Sequence, residues 1–432
     1  MRAFRTISDK LVNLVAGLGT SRDKGAASTY AAPVIDDAQL VNAYRGAWLP
    51  RKIVDIPAQD STRKWREWYA GAKEIEILEA EENRLGLRAK VREAITKARL
   101  FGGAAIFIGT GDADPSKPLA LDRIRKGGVK YLAVMSRLEL QAGDIENDVL
   151  SPGYGKPKHY RAGNVANIHP SRLAIFIGAP LPDVTFSGVM HGWGDSVLTA
   201  MLDAIQQSDN TMANMASLVF ESKVDIFRLP DFMDQVNSPA YRNTVLERLS
   251  LAAVGKGVNG VLLMDKEEEY ESKSASFGGL PDVADRFLQA VAGAADIPAT
   301  RLLGQAPQGM SSTGEGDLKN YYDRVQSMQT LDIGPALATL DEALIRSATG
   351  ARDPSIYYEW ASLWQTTPKE NADIGKVVAD TLKVLADTSL LPSDVLSKAA
   401  ETTLIERGVL PGLESALAEY GMESDDGNDQ DQ

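Results

Sequence analysis

The period of the apolar positions changes along the chain, and each change marks a boundary. DDAQLVNAYRGAWLPRKIVDIPAQDSTRKWREWY, from Asp36, reads as two short helices, with Pro57 tolerable near the start of the second. Trp65, Trp68 and Tyr69 then fall on neighbouring parts of one helix, where aromatics pack into a core or a subunit contact. GAKEIEILEAEENRLGLRAKVREAITKARLFGG predicts two helices broken near Gly86, the second with Leu87, Val91, Ile95 and Ala98 on one stripe. A glycine pair ends it, and AAIFIG follows as a buried strand. As far as Pro180 the runs VKYLAVM, HYRAG and LAIFIG, separated by Gly, Pro and Asp, predict a β-rich region.

Gly194 to Ser222 is the longest helical pattern free of internal Gly and Pro, about 37 Å long at 1.5 Å per residue. Its apolar stripe includes Val197, Met201, Leu202, Ile205, Met212 and Met215, interrupted by QQSDN, which suits packing against partner helices. SKVDIFRLP and GVNGVLLMD read as strands flanking a short helix, and PDVADRFLQAVAGAADI as a further helix. A long helical stretch from Gly316 to Thr349 is bent or broken at Gly334 and Pro335. Helices are expected over residues 368–388, 392–407 and 411–420.

Composition narrows the function classes. The 432 residues are 44% hydrophobic, enough for a sizeable core, and carry 46 basic against 59 acidic side chains, a net charge of −13. The average field therefore repels nucleic acid and acidic lipid. Cysteine is absent, which excludes disulfides, thiolate nucleophiles and cysteine-ligated zinc. At the N-terminus Phe4, Ile7, Leu11, Leu14 and Val15 recur at helical intervals with Asp9 and Lys10 between them, predicting an amphipathic helix and not a signal peptide. With no apolar run long enough to span a bilayer, a soluble chain is expected. Residues 16–36 read as a flexible arm, and ESDDGNDQDQ as a disordered tail.

The candidate chemistry is sparse. Gly309 and Gly314 have P-loop spacing, but Glu315 and Gly316 stand where lysine and Ser/Thr would be needed, so no nucleotide site is expected. Of the three histidines, His169 opens HPS, a single H-x-S; His159 and His191 read HYR and HGW. A two-histidine phosphoesterase needs a pair of H-x-[ST] motifs, one to deprotonate the attacker and one to protonate the leaving group. The acidic run Asp265 to Glu271 lacks calcium-loop spacing and reads as a solvated surface. The basic clusters Arg63 to Arg66 and Arg123 to Lys126 fit subunit salt bridges. No catalytic residue, metal ligand or cofactor is expected from these residues, and the chain reads as an assembly protein.

The order of GLGTSRDK, YRGAWLPRKIVDIPAQDSTRKWREW, FGGAAIFIG, GDSVLTAMLDAI and AADIPATRLLGQAPQGMSSTGEGDLKNYYDRVQSMQ resembles the portal proteins of tailed bacteriophages, over about residues 10 to 410. The resemblance implies an α+β, predominantly helical fold with wing, stem, clip and crown. By position, residues 1–36 would be an N-terminal arm, 37–110 the first part of the wing, and 111–190 a β-rich region containing the clip. Residues 191–222 would be the stem helix, 223–303 the second part of the wing, and 304–316 the channel loop. A long bent helix and wing return (317–367), a helical crown (368–420) and an acidic tail (421–432) would follow. Stem packing would fall to Met201, Leu202, Ile205, Met212 and Met215. The channel loop would comprise Gly304, Gln305, Gln308, Gly309, Met310, Ser311, Ser312, Thr313, Gly314, Glu315, Gly316 and Asp317, its glycines allowing movement and its carboxylates repelling DNA phosphate.

The resemblance further implies a non-enzymatic ring, usually of twelve subunits, at one capsid vertex of the virion, assembled in the host cytoplasm. Its partners would be the terminase large subunit, a head–tail adaptor, the major capsid protein and double-stranded DNA in transit, with no membrane. Members of the same grouping are associated with anti-CBASS phosphodiesterase domains, which degrade cyclic nucleotides of bacterial defence through paired H-x-[ST] motifs. That activity, or a scaffolding or minor capsid role without a channel, is the alternative.

Overall fold

A computed structural model describes residues 36–112, 114–182, 192–221, 223–228, 237–258, 269–274, 279–304, 315–364, 368–388 and 392–406. The chain is mostly helical with several small sheets, an α+β fold, and divides into a unit of residues 1–361 and a unit of residues 362–432.

In the larger unit α1 (Asp37–Gly46) leads directly into α2 (Trp48–Arg63). Pro57 is the tenth residue of α2, in its middle and not near its start as expected. A proline there has no N–H to give the carbonyl four residues back, that of Ile53. The guanidinium of Arg99 fills the gap: Nη2 donates to Ile53 O at 2.9 Å and Nε to Val54 O at 3.2 Å. Burial pushes the Arg99 pKa down to about 10, with nearby Arg324 adding to the effect against the pull of Tyr321.

The aromatic run after α2 is not helical. Arg66–Tyr69 is strand β1, paired antiparallel with a strand, Tyr357–Trp360, almost 300 residues away. Trp65, Trp68 and Tyr69 meet Trp360, Tyr358 and Tyr357 at centroid distances of 5.5, 5.4 and 4.9 Å. Between them Arg66 is buried, bonded to Glu82 at 2.7 Å and Asp341 at 2.6 Å. The basic cluster around it therefore makes its buried salt bridges within the chain, where subunit contacts were expected.

α3 (Ala72–Leu85) and α4 (Leu87–Phe101) are divided at Gly86, as the pattern predicts, and α4 buries Leu87, Val91, Ile95 and Ala98. Its buried face covers β2 (Gly103–Gly109), the centre of an antiparallel sheet with β3 (Tyr131–Ser136) and β7 (Leu173–Ile177) on either side. A second three-stranded sheet is formed by β4 (Leu140–Ala142), β5 (Tyr160–Ala162) and β6 (Val165–Ile168). These strands bear out the β-rich texture of the region.

The rod helix is shorter than its pattern. α5 runs from Leu202 to Glu221, about 30 Å, because before it Asp195 forms a β-bridge with Ala179 and residues 197–201 form turns. Gly178 and Gly194 both donate to the carbonyl of Gly102, at 2.9 and 3.1 Å. A Cβ on Gly102, whose φ is +90°, would lie 2.1 Å from the Gly194 oxygen. The Ser196 hydroxyl donates to Arg99 O and accepts the Leu198 N–H, holding the segment in a turn.

β8 (Lys223–Arg228) pairs with β9 (Glu269–Ser274), with α6 (Pro239–Val258) between them in sequence. The second strand is EYESKS, C-terminal to the GVNGVLLMD stretch expected to form it; residues 259–265 of that stretch lie outside the described residues. α7 (Leu280–Ala295) packs along α5, and the short α8 (Ala299–Leu303) follows. α9 (Glu315–Met328), a π-helical segment (Gln329–Ile333) and α10 (Gly334–Thr349) form one long helix that returns the chain to β10 (Tyr357–Trp360). The smaller unit contains α11 (Pro368–Asp387) and α12 (Ser393–Glu406). The third helix expected there, the N-terminal arm as far as residue 35 and the acidic tail lie outside the described residues. No described helix is long and apolar enough to cross a membrane.

Candidate functional site: the anchor of the glycine-rich segment

In the apolar face of α2, Asp60 occupies the position seven residues after Ile53 and is 1% exposed. A carboxylate so deeply placed needs partners, and it finds them on both sides of the glycine-rich segment. Before the segment, Arg301 of α8 makes a two-pronged contact, Nη2 to Oδ1 at 2.9 Å and Nε to Oδ2 at 3.1 Å. Beyond it, the Tyr321 hydroxyl of α9 donates to Oδ2 at 3.0 Å. Burial first, then the Asp60 charge and bond, hold the Tyr321 hydroxyl well above the usual tyrosine pKa, so it remains a donor. The bond to Asp60 raises the Arg301 pKa against the effect of burial. Arg63 completes the cluster, 3.4 Å from Oδ1 and stacked over Tyr322.

The neighbouring residues extend the anchor. Lys52 Nζ donates to Leu302 O at 2.8 Å, and α8 ends on Gly304 with φ +71°, a left-handed turn that suits glycine. Gln329, fully buried, donates from Nε2 to Ser61 O at 2.8 Å. Two consecutive residues of α2 thus fix α8, α9 and the π segment.

The π segment has a cause in the spacing of buried residues. Tyr321, Val325, Gln329, Ile333 and Leu337 are all buried and succeed one another by four. At about 100° per residue each step of four overshoots an α-helical turn by about 40°, so the stripe would wind off the core. A wider turn takes up the excess. It lies immediately before Pro335, which has no N–H for an α-helical bond, while Gly334 N–H closes the wide turn on Gln329 O. At Gly334 and Pro335, where a bend or break was expected, the helix continues through this π segment.

Among the expected channel-loop residues, Gln305, Gln308, Gly309, Met310, Ser311, Ser312, Thr313 and Gly314 lie outside the described residues. Gly304 caps α8, Glu315 opens α9, and Gly316 and Asp317 are exposed on its first turn. Of the stem residues, Met201 and Ile205 are buried, Leu202 and Met215 half-buried and Met212 exposed. The anchor residues Asp60, Ser61, Arg301, Tyr321 and Gln329 were not singled out from the sequence. A carboxylate in phase with Ile53 on an apolar face was the one signal for Asp60.

His169 turns its Nδ1 to its own neighbourhood, 2.8 Å from Ser171 Oγ and accepting the Ser171 N–H at 3.2 Å. Burial, then Arg172, lower its pKa. Ser171 Oγ accepts the Leu119 N–H at 2.9 Å, so this H-x-S closes a turn against the loop at residues 115–119. His191 lies outside the described residues. No group of three His, Asp or Glu side chains that could hold a metal occurs among the described residues.

Two curated relatives are named anti-CBASS protein Acb1. The chain is 40% identical to that of Caulobacter sp. (strain RHG1) and 38% identical to that of Sphingomonas paeninsulae, over 96% of its own length and 69% and 68% of theirs. The expectation that the chain is not an enzyme is overturned by these names, carried by relatives that align with nearly all of it. In fold, the chain is similar to one in the neck of an empty GTA particle computed with C6 symmetry. There the TM-score is 0.51 at 14% identity, with 92% of this chain and 98% of that one covered. The family model described as phage portal protein matches residues 38–384, from α1 through the anchored segment and the long helix after it into α11. This chain belongs to the phage portal protein family.

Proposed function

We propose that the chain assembles into a closed ring of twelve copies forming a DNA channel at a capsid vertex of a virion. In this reading the terminase large subunit drives double-stranded DNA through it, and a head–tail adaptor and the major capsid protein contact its outside. The observation that carries the reading is the double anchor at Asp60. One buried carboxylate fastens both flanks of the glycine-rich segment to the core, so the ten residues between Gly304 and Glu315 are fixed at both ends. Exposed Asp317 on the first turn of α9 gives the channel wall a charge that repels phosphate, so that DNA does not stick.

The packing of α5 along α7 supports reading these two helices as a stem. The β8, α6 and β9 segments lie between them in sequence, and a small α/β clip at the end of a helical stem has this order. This order supports a clip at residues 223–274, as an alternative to the 111–190 region that the resemblance suggested. Leu218 of α5 and Leu246 and Leu249 of α6 are exposed in a single chain, at 46%, 61% and 41%. Neighbouring copies in a ring would cover them. Light scattering and electron-microscopy class averages test the reading. Twelve copies of the 46.6 kDa chain give about 560 kDa and a ring with a central hole; a stable monomer in the presence of capsid protein and adaptor overturns it.

A second reading, cyclic-nucleotide hydrolysis directed against CBASS defence, is favoured by the two named relatives. His169 supplies one H-x-S motif. A hydrolysis assay with cyclic oligonucleotides tests it, and replacement of His169 by alanine should abolish any turnover that uses this motif.

A further inference from the structure

A cavity of about 930 Å³ opens between the C-terminal end of α7, the middle of α9, the start of α5 and the Arg99 end of α4. Its apolar lining includes Val197, Met201, Ile297, Met328 and Leu331. Four carboxylates, Asp195, Asp203, Asp296 and Asp332, line it against two guanidiniums, Arg99 and Arg324. Arg324 is ion-paired to Asp296, and Arg99 is committed to the carbonyls of Ile53 and Val54. A second cavity of about 580 Å³ shares Asp296, Ile297, Tyr321 and Arg324 with the first. The two form a groove with an apolar floor and an excess of negative charge. An anionic ligand would meet the carboxylate majority; an apolar ligand without charge would leave it unmatched.

The chain holds a segment of the opposite kind. Residues 1–35 carry Arg2, Arg5, Lys10, Arg22 and Lys24 against Asp9 and Asp23, a charge of +3, while the remainder carries −16 to make the total of −13. Phe4, Ile7, Leu11, Leu14 and Val15 recur on one helical stripe with basic residues between them. The twenty residues 16–35 that would tether a docked segment 1–15 to the start of α1 reach about 70 Å when extended.

We propose that the basic amphipathic segment at residues 1–15 docks in this acidic, apolar-floored groove, in the same chain or an adjacent copy. Its apolar stripe lies on the floor around Leu331, which is 73% exposed without an occupant, and its basic side chains face the aspartates. This inference is independent of the number of subunits in any ring.

The natural absence of cysteine makes the test direct. In the full-length protein, Leu331→Cys is combined in turn with Ile7→Cys, Leu11→Cys and Leu14→Cys on the stripe, or with Ser8→Cys and Asn13→Cys off it. The comparison pair is Leu11→Cys with Leu150→Cys, since Leu150 is 92% exposed in the turn between β4 and β5 and does not line the groove. Under mild oxidant at least one stripe position should form a disulfide with residue 331 at least tenfold faster than the off-stripe and Leu150 pairs. The cross-link is intramolecular if the groove is the chain's own and intermolecular if it is a neighbour's; both support the proposal. Exchange of Arg2, Arg5 and Lys10 for glutamate should slow it at least fivefold. Equal rates at all pairs, or a rate insensitive to the three charges, overturn it. Because the cross-link is read on whatever assembly forms, failure of the ring reading and failure of this docking are distinguishable.

Discussion

The side chain of Arg99 donates to the carbonyl of Ile53, the acceptor that Pro57 leaves open in the middle of α2. A proline usually breaks a helix at this point; here an arginine from a packed neighbour supplies the missing donor. The same contact pins α4 to α2 and holds a charge under the floor of the groove.

Replacing Arg99 by methionine keeps much of the side-chain volume but leaves two buried carbonyls without it, at a cost of about 2 kcal/mol. Pro57→Ala in the same background restores an N–H for Ile53. The double variant should therefore recover about 1 kcal/mol, and urea unfolding of the four proteins in the cycle measures that coupling.

Asp60→Ala should do more damage than most single changes in α2, because it strands Arg301 and Tyr321 together. Loss of about 2 kcal/mol is expected, mainly from leaving the buried Tyr321 hydroxyl without its acceptor, since Arg301 is partly exposed. Limited proteolysis should show cleavage between residues 305 and 314 at least tenfold faster than in the parent protein, while cleavage elsewhere rises less.

Deleting Leu331 removes the extra residue of the wide turn. The buried stripe then keeps its phase as an ordinary α-helix, but Pro335 enters a regular turn that cannot accommodate it. The deletion alone should cost about 3 kcal/mol, and the deletion with Pro335→Ala less than half of that, by denaturant titration.

Glu81 accepts two bonds from Arg84 and one from the Ser347 hydroxyl, and these hold its pKa below the ordinary 4.5, the Arg84 bond first and burial acting against it. A depressed carboxylate contributes stability that is complete above its unfolded pKa and disappears as pH falls through the folded one. Glu81→Gln should therefore be less stable than the parent at pH 7, with the gap narrowing as pH drops below 4.5. Urea midpoints across that range check the sign.

Glu315→Lys with Asp317→Lys reverses the charge at the end of the proposed channel loop. DNA packaged into capsids built with this variant should move more slowly at low salt and recover as salt rises, since phosphate contacts weaken with ionic strength. A packaging rate unchanged by both substitution and salt would remove the charge from the mechanism.

Local order decided how much could be read in advance. The division of α3 from α4 at Gly86, the buried stripe of α4, the strand AAIFIG and the irregularity before Pro335 all depend on residues within a few positions of one another, so their periods and breakers show in the sequence. β1 did not show, because four residues carry no decisive period and its partner lies almost 300 residues away. The start of α5 was misplaced for a related reason. Its first turns satisfy helical spacing, but the close approach of Gly102, Gly178 and Gly194 and the bonds of Ser196 hold them on the core in another shape.

The sequence by itself determined the helical framework, the excess of acidic charge and the order of segments that marks a portal-family chain, because each is set by composition or short-range pattern. Only the tertiary structure decided that Asp60 would receive Arg301 and Tyr321, that Arg99 would serve Pro57's vacant carbonyl, and that the spacing from Tyr321 to Leu337 would require a π turn. Those outcomes depend on which faces meet when the core closes. Burial then makes each polar group find a partner wherever the fold has brought one.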